Sequence, residues 1–72
     1  MRREHARVEA HLKKRPGWKL RQWRLQNEVS QTDAARMFGC SQPVLSQYER
    51  GTRDPHSEDI VANIARRTGV RW

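Results

Sequence analysis

A single cysteine, Cys40, excludes an intrachain disulfide framework, and other shortages narrow the chain further. A structural metal site needs several cysteines or clustered histidines. His5, His11 and His56 do not supply that spacing, so neither a metal nor any other cofactor is expected. No apolar run approaches the roughly 20 residues of a membrane span, and the first residues lack the apolar stretch of a secretion signal. The expected setting is therefore a soluble, intracellular, reducing one, with no membrane partner. Alternating apolar and polar residues are missing as well, so no strand competes. The sequence offers no paired carboxylates in a cleft, no activated nucleophile and no phosphate loop. Neither an enzyme nor a small-molecule receptor is expected.

What is plentiful is positive charge. Fifteen Lys/Arg against eight Asp/Glu give a net charge of +7. Residues 1–24 hold nine of the basic residues and only Glu4 and Glu9, so they carry the entire surplus. The remainder of the chain has six of each sign. Such a local basic segment suits phosphate neutralisation. It is also compatible with a solvated tail, and less so with an anionic membrane, because Val8 and Leu12 form only a thin apolar stripe.

With 72 residues the chain is one small domain, of the size that buries only about 60% of its unfolded surface. Helical periodicity runs through nearly all of it. Glu4 to Arg15 reads as a short helix, marginal alone. Pro16-Gly17 reads as a break, after which Trp18 to Asn27 resumes with Leu20 and Trp23 on one face. Ser30 caps a helix that has Asp33 in its first turn and stops at Gly39. A further helix follows Cys40-Ser41, runs to Arg50 and ends at Gly51. Thr52 to Pro55 is loop. His56 or Ser57 caps a last helix whose Ile60, Val61, Ile64, Ala65 and Thr68 form one apolar stripe, ended by Gly69. The fold class is all-α, a compact bundle of four to five short helices. Residues 1–17 form a basic helix or arm, and 18–72 the domain proper.

Between Gln31 and Arg50 two short helices are joined by a tight turn containing glycine. Ala34, Phe38, Cys40, Leu45 and Tyr48 take the inward positions, Ala35 is small where the helices cross, and Gly39 supplies the turn's positive φ. Together with Leu20 to Arg24, Val29 to Ala35, Phe38 to Gln42, Leu45 to Gly51 and the Gly-Val ending at Val70, this resembles the lambda-repressor-like helix-turn-helix family of phage repressors, Cro proteins and bacterial regulators. The resemblance covers about residues 18–72.

The resemblance implies that the helix from Gln42 to Arg50 enters the DNA major groove. Gln42, Pro43, Ser46 and Gln47 would then face bases, the glutamine amides suiting adenine and Pro43 a thymine methyl. Gln31, Arg50, Thr52 and Arg53 would contact phosphates, joined by Lys13, Lys14 and Arg15 of the arm. Arg24 and Glu49 would form an ion pair tying the first helix of the domain to the reading helix. Pro43 departs from the common pattern. It leaves open whether Gln42 is the first helical residue or the cap, which would re-aim its amide, so Gln47 is the safer reader. Relatives commonly carry a further helix used for dimer contact. Here the surplus length lies at the N-terminus, so Val70, Trp72 and the Trp18 region are the candidate contacts, and Trp72 is equally suited to packing on its own core. The expected function is a sequence-specific transcriptional regulator, a repressor or Cro-like protein that binds a palindromic operator in double-stranded DNA as a homodimer. The alternative is an antitoxin-type interaction module that neutralises a toxin and autoregulates its operon.

Overall fold

A computed structural model describes residues 15–72. The expected first helix and the arm residues Lys13 and Lys14 fall outside the described residues. Four helices follow one another: α1 (Pro16–Gln26), α2 (Gln31–Phe38), α3 (Gln42–Arg50) and α4 (Glu58–Thr68). Helix α3 packs against α1 and α2, and α4 lies against α2. Among the described residues there is no strand.

Helix α1 corrects one expectation. It was expected to begin at Trp18, but Pro16-Gly17 already forms its opening turn, with Pro16 where a missing N–H has no partner to lose. Arg15 before it is extended, at φ −75° and ψ 141°, as a residue preceding proline prefers. Gly17 is buried, and the reason is packing. A Cβ at this position would overlap the Tyr48 carbonyl oxygen and lie 3.1 Å from that of Glu49. The start of α1 therefore rests directly on the last turn of α3. At its other end α1 stops one residue short of the expected limit, and Asn27 becomes the cap, its amide donating to the Trp23 carbonyl at 3.1 Å.

The other helices start and stop where short polar residues and glycine dictate. The Ser30 hydroxyl accepts from the Asp33 amide at 3.1 Å, Ser41 from Val44 at 3.4 Å, and Ser57 from Ile60 at 3.4 Å. Each hydroxyl satisfies one of the amides that a helix start leaves without an intrahelical partner. Of the two candidate caps for the last helix, Ser57 is the one used. Gly39 closes α2 at φ 87°, and its amide and that of Cys40 both converge on the Ala35 carbonyl, at 2.9 and 3.0 Å. After α1 the same left-handed corner is taken by a residue with a side chain. Glu28 has φ 55°, and the Val29 amide reaches back to the Arg24 carbonyl at 2.9 Å.

Leu20, Ala34, Ala35, Phe38, Leu45, Tyr48, Ile64 and Val70 form the core. Phe38, Leu20, Leu45 and Ile64 are the largest fully buried side chains, of the kind that contributes about 1.5–3 kcal/mol each on burial. Trp23 closes one side, its ring centroid 6.2 Å from that of Phe38. Cys40 is half-buried beside this cluster. Burial pushes its thiol pKa up, which favours the protonated form. The chain end folds back: Val70 is in the core, and Trp72 lies 5.9 Å from the Tyr48 ring while its indole N–H donates to Asp54 at 3.1 Å. Val70 is thereby taken up by the core, while Trp72 packs on it half-buried.

Candidate nucleic-acid interface

Helix α3 has two unlike sides. Leu45 and Tyr48 point into the core and Glu49 is buried beside α1, whereas Gln42, Pro43 and Arg50 are exposed and Ser46 and Gln47 half-exposed. The apolar side fixes the helix; the polar side is left for a partner. Pro43 sits in the first turn and Ser41 is the cap. Gln42 is therefore the first helical residue, and the alternative with Gln42 as the cap does not occur.

The side chains behind this surface are held by one another. Arg24 donates to both carboxylate oxygens of Glu49, from Nε at 2.8 Å and from Nη2 at 3.1 Å. Its Nη1 reaches the Val29 carbonyl at 3.1 Å. The pair lies inside the structure, with side-chain exposures of 12% and 3%, so it is a buried bridge and not a surface contact. Gln31, which opens α2, donates from Nε2 to Glu49 Oε1 at 3.2 Å. Gln42 in turn donates from Nε2 to Gln31 Oε1 at 2.7 Å. A continuous polar chain thus runs from α1 through α3 and α2 back to the tip of α3. Gln31, expected against phosphate, has its amide engaged on both sides and acts here as the link between Glu49 and Gln42.

A second cluster forms at the other end of α3. The Thr52 amide and hydroxyl both donate to the Gln47 carbonyl, at 3.1 and 3.3 Å, so the Thr52 hydroxyl serves the helix end. Arg53 Nη1 lies 3.5 Å from Gln47 Oε1. Arg50 is exposed, and the Arg15 guanidinium passes over Gly51, 3.1 Å from where a Cβ would stand. Between α1 and α3 runs a groove of about 480 Å³ lined by Trp18, Arg21, Arg24, Gln31, Ser46 and Arg50 beside Glu49. Sequence reasoning does not place Trp18 and Arg21 at this surface, yet they wall the groove, the guanidinium 5.9 Å from the Trp18 ring centre. One turn of α1 separates them, the only sequence signal that they would meet.

This arrangement offers exposed polar side chains on α3 and flanking cations. Among the described residues no group of three His, Cys, Asp or Glu side chains is placed to hold a metal ion. Among the same residues no helix is long and apolar enough to cross a membrane. Comparison with curated proteins and with solved structures finds no match. Comparison with family models matches the helix-turn-helix domain over residues 17–71, which takes in all of α2, α3 and α4 and nearly all of α1. The matched span contains the two helices, the turn and the buried bridge described above, and the chain belongs to the helix-turn-helix family, of the Xre/Cro-like type, as a DNA-binding regulator.

Proposed function

We propose that the protein is a sequence-specific transcriptional regulator of the phage or prophage repressor or Cro kind, which binds a palindromic operator as a homodimer and represses by occlusion. The observation that carries this reading is the exposed polar side of α3, where Gln42 and Gln47 stand with Pro43 and Ser46 on a helix capped at both ends. A helix of nine residues reaches few base pairs. Two copies set about 34–36 Å apart on one face of the duplex double that number and match a two-fold site. The chain acts by occupancy and not by catalysis, in the cytoplasm on the nucleoid.

Selection from random duplexes tests the reading. The expected outcome is an enriched motif made of two inverted half-sites; an enriched motif without symmetry would remove the dimer, and no enrichment would remove sequence-specific reading altogether. Within such a motif Gln47→Ala is expected to relax one position per half-site, at a cost of about 1–3 kcal/mol. Equal weakening on all duplexes would reduce Gln47 to a bystander.

A further inference from the structure

The loop from Gly51 to Ser57 joins α3 to α4 without forming a helix of its own. Two tethers flank Arg53 within it. On one side Thr52 donates from its amide and its hydroxyl to the Gln47 carbonyl, at 3.1 and 3.3 Å. On the other side Asp54 accepts the indole N–H of Trp72 at 3.1 Å, through Oδ1. Trp72 is itself held from two directions. Val70, shortly before it, is buried in the core, and the Trp72 ring lies 5.9 Å from that of Tyr48 on α3. The segment from Val70 to Trp72 thus straps the loop to the helix that the loop follows.

The strap sends two opposite charges to different sides of α3. Arg53 is exposed and extends toward Gln47 on the polar side of the helix, with Nη1 3.5 Å from Oε1. Asp54 is drawn instead to the indole that packs on Tyr48, a residue of the buried side. Without that N–H, the carboxylate of Asp54 lies loose in an exposed loop with the guanidinium of its chain neighbour within reach. A guanidinium fork matches a carboxylate as well as it matches a phosphate, so a carboxylate seated on Arg53 competes directly with the DNA backbone. We propose that Trp72 is a positioning residue for DNA binding: its indole N–H holds the Asp54 carboxylate away from Arg53 and so keeps Arg53 available to a backbone phosphate. Neither Trp72 nor Asp54 needs to touch the duplex. The proposal rests on the reading of α3 as the DNA-facing helix.

The experiment measures binding of the whole chain to the duplex obtained by selection, at a series of salt concentrations, and compares slopes of log K against log salt. Arg53→Ala is expected to flatten the native slope by about 0.9, the loss of one phosphate contact. Trp72→Phe keeps a ring against Tyr48 but removes the N–H. It is expected to flatten the slope by the same amount, with no further change when Arg53→Ala is added. Asp54→Asn alone keeps an oxygen for the indole and is expected to leave the slope as it is. Trp72→Phe combined with Asp54→Asn has no carboxylate to seat on Arg53, and is expected to regain the native slope although it lacks the same indole. Thermal unfolding of each variant establishes that the compared proteins are folded, and a slope regained without a regained Tm separates positioning from packing. A native slope in Trp72→Phe overturns the proposal, as does a double variant no better than Trp72→Phe alone. If Arg53→Ala keeps the native slope, Arg53 meets no phosphate, and the proposal falls while the DNA-binding reading stands. A native chain that binds no duplex removes that reading itself, and the proposal with it.

Discussion

Glu49 is the buried charged residue of the described chain, and its side chain is tolerable only because Arg24 meets both oxygens. Breaking such a pair from one side leaves an uncompensated charge, typically at about 3–5 kcal/mol, whereas replacing both partners with apolar residues of similar size is often nearly neutral. Arg24→Met is therefore expected to lower the urea midpoint severely without changing the slope of the transition, and adding Glu49→Leu to restore most of the deficit. A single and a double variant of equal stability would show that an unpaired Glu49 carries no penalty. The pairing of Arg24 with Glu49 was legible in the sequence through the family resemblance. The bond from Gln42 to Gln31 was not, because it joins residues eleven apart through rotamers that no local pattern specifies. Pro43 draws attention to Gln42 for the wrong reason: the Gln42 backbone is ordinary helix, and its neighbour across the turn aims it.

At the level of elements, the three helix starts at Ser30, Ser41 and Ser57 and the stops at Gly39, Gly51 and Gly69 could be read directly. Caps and left-handed corners are decided by one or two residues in place. The start of α1 is not legible in that way, because the reason for Gly17 lies elsewhere, in the Tyr48 carbonyl of α3. Gly17→Ala is accordingly expected to destabilise by about 1–3 kcal/mol, the usual range for overpacking, and not to stabilise as a helix-favouring replacement would at an exposed site. Thermal unfolding separates the two outcomes. Glu28 gives the opposite case. Its φ of 55° places an ordinary side chain where glycine ends the other helices, at a cost of roughly 1–2 kcal/mol. Glu28→Gly is expected to raise stability by about 0.5–1 kcal/mol once glycine's extra chain entropy is subtracted. For a domain of this size that corresponds to a rise in Tm of roughly 2–8 °C; an unchanged or lowered Tm would count against strain at the corner.

Taken as a whole, the molecule divides its labour by charge. The segment from residue 25 onward, which holds α2, α3 and α4, is balanced, while residues 1–24 carry the surplus. On the proposed function, attraction to the DNA backbone and discrimination among bases would fall to different stretches of the chain. Replacing Lys13, Lys14 and Arg15 together by alanine is expected to flatten the dependence of log K on log salt by about 0.9 for each phosphate no longer neutralised, with base preferences intact. An unaltered slope would make the arm a solvated tail. The charge asymmetry was legible from composition alone, since charge is counted without knowing the fold; how the side chains behind α3 are held was not. The amide of Gln42 is held by Gln31 in the free protein, so on the proposed function it meets a duplex already oriented. Ordering such a side chain on binding would otherwise cost about 0.5–1.5 kcal/mol. Such preorganisation predicts that correct and incorrect sites would be encountered about equally often and selected through residence time, the mismatched site being the one left sooner.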